Sequence, residues 1–421
     1  MVLFFILFFA LILFSVPILY CLLIPSLVYL LQYGIGLQVV AQKLIAGVNS
    51  FPLLAIPLFV LAGQVMNGAG ITRRIFSFCD SILGNRTGGL AYANVMASVI
   101  FAGMSGSAIA DAGGLGAVEV KAMTENGYDE DFSLAITGAS SIIGPIIPPS
   151  VPAIVFAVST GLSVGKLFVA GVVPGILMAI ALCIFCYFYC KKRHLGMRRK
   201  TSLAQIWRAF KEAFFPLLTP VIILLGIFTG IFTPTETSAI TVVYCLVIGF
   251  ATKDISLKDI PQLLINTVKT TVSVSALIAS SALFGYVLVR AQFPQELAMA
   301  FTGISNNKYV FLILTNVLLL IVGTFMDNSA AIPILGPILM PIAVMYGIDP
   351  FHFAIVFILN MMIGLLTPPV GLVLFTLAKS TSVSFERITK SMLPFLGVLI
   401  LVLMFITFIP QISTFLPGVL L

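Results

Sequence analysis

GPIIPPSVP, residues 144–152, opens on a glycine, carries adjacent prolines at 148 and 149, and sits in an apolar run. A half-helix over Phe132–Ile143 breaks at Gly144, and Pro148–Pro149 cannot continue it but suit the first turn of a new one. The same punctuation returns in GLLTPPVG, residues 364–371, after a half-helix over Phe353–Ile363. Setting residue i against i+220 extends the match without a gap. Gly103 pairs with Gly323, Leu115 with Leu335, Gly116 with Gly336, Gly127 with Gly347, Asp129 with Asp349 and Pro174 with Pro394. In so apolar an alphabet chance supplies Leu and Ile matches, but not Gly and Pro in one register. The chain is an internal duplication.

Around this repeat the composition is that of a membrane protein. Hydrophobic residues make up 60% of 421 positions and charged ones 9%, against about a quarter charged in soluble domains. Apolar runs long enough for a hydrocarbon core of about 30 Å recur throughout, and the short alternating strands of a membrane β-barrel are absent from the pattern. The chain is therefore all-α and polytopic. Its first stretch, Val2–Leu31, is free of charge and lacks a basic leader or cleavage site, so it reads as a membrane helix and not a signal. The net charge of +7 does not point to nucleic acid, because basic residues gather between Lys191 and Lys211, as in a topology-setting cytoplasmic loop.

Each repeat also carries a hairpin ahead of its broken helix. Residues 88–124 turn at GMSGSA (103–108) and residues 308–346 at GTFMDN (323–328). Arms of about fifteen residues are short for a straight crossing at 1.5 Å per residue, which makes each pair a re-entrant helical hairpin. Backbone left free at membrane depth is tolerated only where protein, ligand or ion satisfies it. Paired broken helices at corresponding positions are the mark of a transporter binding site. With the basic loop inside, Arg73, Arg74, Arg86 and Lys253–Lys269 also fall inside, helices run at about 212–232 and 234–250, and the second hairpin opens from the outside. The two repeats are expected to be inverted, as alternating access requires.

Asp111 and Asp327 are carboxylates at or near the tips in apolar surroundings, where a charge is costly and calls for a function or a helix end to cap. Ser105, Gly106 and Ser107 add hydroxyls and exposed backbone. Tip and break carbonyls suit Na⁺, and new helix N-termini attract an anion; the plainer alternative is that these small residues permit close helix packing. Cys183, Cys186 and Cys190 share a helical face in ALCIFCYFYC without a His or carboxylate nearby, so soft packing is expected and no disulfide. Ile71–Leu83, and likewise Lys253–Lys269, have the pattern of a surface amphipathic helix or an ordinary loop. Glu236 in TPTETS reads as a cap. GMSG matches the GxSG of intramembrane serine proteases, but such catalysis needs a histidine base; His194 lies in the basic loop, His352 starts a helix, and Phe325 stands opposite Ser105 in the repeat. No Walker A sequence is present, so ATP does not power the chain directly.

FPLLAIPLFVLAG, GMSGSAIAD, GPIIPPSVP and LTPPVG, in this order and spacing, resemble the large membrane subunit of a tripartite ATP-independent periplasmic (TRAP) transporter, over essentially the whole chain. The resemblance implies a Na⁺-coupled, elevator-type carrier related to ion-transporter superfamily folds, in the bacterial inner membrane. It also implies a small four-helix membrane subunit and a soluble periplasmic protein that delivers an organic acid anion. Some relatives fuse the small subunit to the large; this chain shows no such N-terminal extension, so a separate partner is expected. Carried over by position, one Na⁺ would use Ser105, Gly144, Ile147 and Pro149, mainly through carbonyls. The other would use Gly323, Asn328, Gly364 and Thr367, and substrate would meet Ser105, Ser107, Asp111, Ser150 and Asp327. Residues 88–165 and 308–390 would form the moving transport domain. Residues 1–87 and 166–307 would be scaffold and arms, and 391–421 a C-terminal helix.

The expectation is thus a non-enzymatic importer subunit for sialic acid or a C4-dicarboxylate. A stand-alone Na⁺/dicarboxylate symporter is the nearest alternative and an intramembrane serine protease a remote one.

Overall fold

Proline decides where the first helices stop. The computed structural model describes residues 1–14, 16–68, 70–196, 202–381 and 383–420, and every regular element among them is helical. The stretch expected as one helix over 2–31 is two, α1 (Val2–Leu13) and α2 (Ile18–Gln32). Pro17 has no N–H to donate back to the first helix and stands at the N-cap of the second. Phe4 and Phe8 of α1 pack on Phe284, with ring centroids 4.8 and 5.2 Å away. α3 (Leu37–Val48) follows, a 3₁₀ turn at Phe51–Leu54 redirects the chain, and α4 (Ala55–Gly68) continues.

α5 (Ile71–Leu83) is the amphipathic helix that the sequence suggested. It buries Ile71, Ile75, Phe76 and Cys79, and Arg74 forms an ion pair with both oxygens of Asp254, at 2.9 and 2.7 Å. The first hairpin is α6 (Gly89–Ser105) and the nearly continuous α7 (Ala108–Gly114) and α8 (Gly116–Glu125). The first broken helix is α9 (Glu130–Ser141) and α10 (Val151–Thr160). α11 (Val164–Arg193) ends on Lys191, Lys192 and Arg193. Of the other basic residues up to Lys211, Arg208 and Lys211 stand on the next helix, and Arg198, Arg199 and Lys200 lie outside the described residues.

α12 (Leu203–Phe228) and α13 (Pro234–Ala251) come next. Glu236 caps α13 as expected, in a reciprocal capping box with Thr233. α14 (Ile260–Arg290) absorbs the second half of the expected arm over Lys253–Lys269, because nothing after Pro261 interrupts a helix for 29 residues. The counterpart of α5 is instead α15 (Phe293–Ile304), where the 220-residue register places it.

The second hairpin, α16 (Lys308–Phe325) and α17 (Asn328–Met345), has arms of 18 residues each, longer than the sequence spacing suggested. The second broken helix is α18 (Pro350–Gly364) and α19 (Leu372–Thr381). The expected C-terminal helix over 391–421 is α20 (Phe385–Phe408) and α21 (Gln411–Leu420), parted at Pro410. Eight helices among the described residues are long and apolar enough to cross a membrane. The six cysteines are free.

Each hairpin is fastened to its broken helix by buried amides and hydroxyls. Asn94 donates to Thr137 Oγ1 at 2.7 Å, and Ser140 donates to Asn94 Oδ1 at 2.8 Å. In the second half Asn360, which stands opposite Ser140 in the repeat, donates to Asn316 Oδ1 at 2.8 Å. Asn316 in turn donates to Thr407 at 3.0 Å. Ion pairs from Arg193 to Asp129 (3.0 Å) and from Arg387 to Asp131 (2.6 Å) fasten the start of α9 to α11 and α20.

Candidate substrate and ion site

The first tip turns on one residue. α6 ends at Ser105, Gly106 adopts a left-handed φ of +59°, and Ser107 caps α7 by accepting from Ala110 N. A side chain at Gly106 would drive into the Pro149 carbonyl oxygen, so the tip lies directly against the first break. Val151 N donates to Gly106 O at 3.4 Å across that contact. The second tip does the same, with Val370 N donating to Thr324 O at 3.3 Å. There Gly323 and Gly364 meet backbone to backbone: a Cβ on Gly364 would lie 2.5 Å from Gly323 Cα.

The breaks are turns with unspent acceptors. Between α9 and α10, Gly144 N donates to Ser141 O, and Ile146 N and Ile147 N donate to Ile143 O. Ser150 donates to Pro145 O and accepts from Ala153 N at 3.1 Å, which caps α10. Among the described residues the carbonyls of Gly144, Ile147 and Pro149 accept no hydrogen bond. In the second break Thr367 N donates to Gly364 O at 3.0 Å while the Thr367 carbonyl accepts none, and Asn328 donates to Met362 Sδ at 4.0 Å. Both Pro–Pro peptide bonds, 148–149 and 368–369, are cis. No group of three or more His, Cys, Asp or Glu gathers among the described residues, so a cation here would be held by carbonyl and hydroxyl oxygens.

Between the tips and the helices α4 and α14 lies a cavity of about 300 Å³. Ser105, Ser107, Asp327 and Asn328 line it. Asp327 caps α17 through Ser329 N at 2.7 Å and is the single ionisable residue on the wall among the described residues. Ser150 and Asp111 do not reach the cavity. Ser150 is fully buried as a cap, and Asp111 is 2% exposed behind the tip, both its carboxyl oxygens without a hydrogen-bond partner among the described residues. Four polar wall residues escaped the sequence reading: Gln64 and Asn67 on α4, Thr270 on α14 and Ser329 on α17. The signal for the first two is present, since they are polar positions three apart in the otherwise apolar AIPLFVLAGQVMNG. His352 bonds to Ser413 Oγ at 2.8 Å and lies 3.3 Å from the Thr407 carbonyl, whereas Ser105 Oγ accepts from Ser107 N, so the two do not pair.

Comparison with known proteins agrees with this architecture. Residues 5–412 match the family described as "Tripartite ATP-independent periplasmic transporter, DctM component". The chain is 44% identical over 409 residues to the sialic acid TRAP transporter large permease protein SiaM of Vibrio cholerae, covering 97% of this chain and 96% of that one. It is 38% identical over 379 residues to the C4-dicarboxylate TRAP transporter large permease protein DctM of Pseudomonas aeruginosa, covering 90% and 89%. The crystal structure of the Alcanivorax borkumensis YdaH transporter has a similar fold, with a TM-score of 0.61 at 17% identity over 91% of this chain and 88% of that one. The duplicated hairpins, the broken helices docked on their tips and these matches agree: the chain is a multi-pass membrane protein that belongs to the DctM-component family of large permeases of tripartite ATP-independent periplasmic transporters.

Proposed function

We propose that this permease imports an organic acid anion, sialic acid first and a C4-dicarboxylate second, with Na⁺ as the coupling ion. The observation that carries the coupling is the charge of the site. Among the described residues the cavity wall holds one ionisable group, the carboxylate Asp327, and no basic residue. An acid anion entering there meets a like charge in a medium that screens poorly, so cations must enter with it. Carbonyls of Gly144, Ile147 and Pro149, with Ser105, offer one oxygen-rich pocket for Na⁺; Gly323, Asn328, Gly364 and Thr367 offer the second. Each sits where a tip meets a break, so a bound Na⁺ holds the tip closed and completes the cavity that takes the anion. Asp327 then pairs with hydroxyls or amides of the substrate, and Ser105 and Ser107 with its carboxylate.

The two halves lie inverted in the membrane in this reading, and residues 88–165 and 308–390 slide as one carrier past the helices of 1–87 and 166–307. The substrate names of relatives support the organic acid. Family membership supports a small membrane subunit and a periplasmic binding protein as partners. The test is uptake into proteoliposomes that contain the permease and its small subunit, with the binding protein supplied outside. Uptake of sialic acid or succinate should follow an inward Na⁺ gradient and vanish without the binding protein. Transport that persists with K⁺ on both sides would refute the coupling, and transport without any partner would favour a stand-alone symporter.

A further inference from the structure

A second cavity, of about 490 Å³, lies along the same groove as the first, between α3 and α14 on one side and α10 and α17 on the other. It continues the first one turn further along α14, α10 and α17. Val274 lines the first and Ile278 the second; Val155 the first and Val158 the second; Ser329 the first and Pro333 the second. It lies toward the Tyr286 end of α14, away from the end at which Leu263 meets Gly68 and from the basic segment after α13.

Its chemistry is opposite in sign to that of the tip site. Lys43 lines it and is the one charged residue between Met1 and Thr72. Its ammonium stands 4.7 Å from the centre of the Tyr286 ring, and no carboxylate lies within ion-pair distance of it among the described residues. Ser281 lines the same space at 1% exposure, with its hydroxyl lacking any hydrogen-bond partner among the described residues. Ser50 adds a second hydroxyl, while that of Ser159 already donates to the Phe156 carbonyl at 3.0 Å, and Gly285 leaves the wall open, with no atom within 4 Å of where a Cβ would stand. An unpaired ammonium in an apolar groove calls for an anion, and a buried hydroxyl without a partner is stabilised by one that accepts from it.

We propose that this outer cavity is a second anion site, a staging post in which Lys43 and the serine hydroxyls hold the carboxylate of the acid before it reaches the tips. This rests on the organic-acid reading above. Lys43 attracts the anion, Ser281 and Ser50 donate to it, and the Na⁺-loaded tips one turn further on then take it over. The wall supplies no carboxylate to hold a cation, so Na⁺ bypasses this station.

The test uses Ser50→Cys in the full-length protein, with the wild type as blank for the native thiols. Two thiosulfonate reagents of similar size are compared, one carrying a sulfonate and one a trimethylammonium group. The sulfonate-to-cation rate ratio should be about tenfold above that of a free thiol in solution, at the lower end of what a cleft of opposite charge does to encounter rates. Lys43→Gln should abolish that preference and Lys43→Arg keep it. Equal ratios with and without Lys43 would overturn the site. Sialic acid or succinate should slow the anionic reagent in vesicles of neutral phosphatidylcholine. If phosphatidylglycerol slows it and neither acid does, the occupant is a lipid phosphate and the staging role is overturned. If the charge preference stands and nothing protects, an anion site exists but its assignment to the transported acid is wrong. That outcome is distinct from a failed Na⁺ dependence in the uptake assay, which bears on the coupling alone.

Discussion

Replacing Gly106 by alanine tests whether the tip must sit on the break. The residue has φ +59°, its side-chain direction points into the Pro149 carbonyl, and its own carbonyl accepts from Val151 N. The left-handed conformation costs an L-residue about 1–2 kcal/mol. Pushing the tip off Pro149 forfeits the Val151 hydrogen bond, worth about 1 kcal/mol. Together these come to about 2–3 kcal/mol, which moves the docked-to-undocked ratio about 30- to 140-fold at 1.4 kcal/mol per decade. Hydrogen exchange read at the Val151 amide should accelerate by that factor, with weaker apparent Na⁺ affinity in uptake. Gly161→Ala is the control: its φ is +76° but no atom lies within 4 Å of its would-be Cβ. It bears the conformational cost alone and leaves the Val151 amide protected. Unchanged exchange at Val151 in Gly106→Ala would refute the docking argument.

Two further outcomes follow from the same geometry. Asp327→Asn keeps a good helix cap but removes the charge from the cavity wall. Uptake should fall at least about tenfold while the thermal unfolding midpoint stays near wild type; equal loss of both would mean that Asp327 serves only as a cap. Gly364→Ala places a methyl 2.5 Å from Gly323 Cα, an overpacking that costs about 1–3 kcal/mol, and should lower the unfolding midpoint below that of Gly397→Ala, whose Cβ would meet nothing within 4 Å.

The parts of the fold that depend on punctuation were readable from the chain. Gly106, Gly364 and the two Pro–Pro pairs announce tips and breaks because a left-handed φ at Gly106, a backbone-to-backbone contact at Gly364 and the missing prolyl N–H each exclude most other residues, and Ser105, Ser107, Asp327 and Asn328 flank them. What depends on how two distant segments meet was not readable. Gln64, Asn67 and Thr270 join the cavity only because α4 and α14 pack beside the tips. Asp111 is the converse case. It is four residues from Ser107, one turn along α7, and that turn carries it behind the tip into the hairpin. Apolar continuity misled at the N-terminus, where Val2–Leu31 has no charge to mark a boundary and Pro17 alone divides it. Charge misled over Lys253–Lys269, where it suggested a surface helix or loop and α14 takes up the segment from Ile260 onward.

The fastening of each hairpin to its broken helix has a counterpart in what is missing elsewhere. Asn94, Ser140, Asn316 and Asn360 cross-link elements inside each half, whereas no side-chain hydrogen bond among the described residues joins α3, α4 or α14 to α10 or α17. In hydrocarbon a broken hydrogen bond finds no water to replace it, so under the sliding-carrier proposal the first set would act as weld and the second boundary as lubricant. Turnover then becomes easy to tune: one polar pair engineered across that boundary is a friction brake, and each about 1.4 kcal/mol it supplies in one position slows departure from it about tenfold.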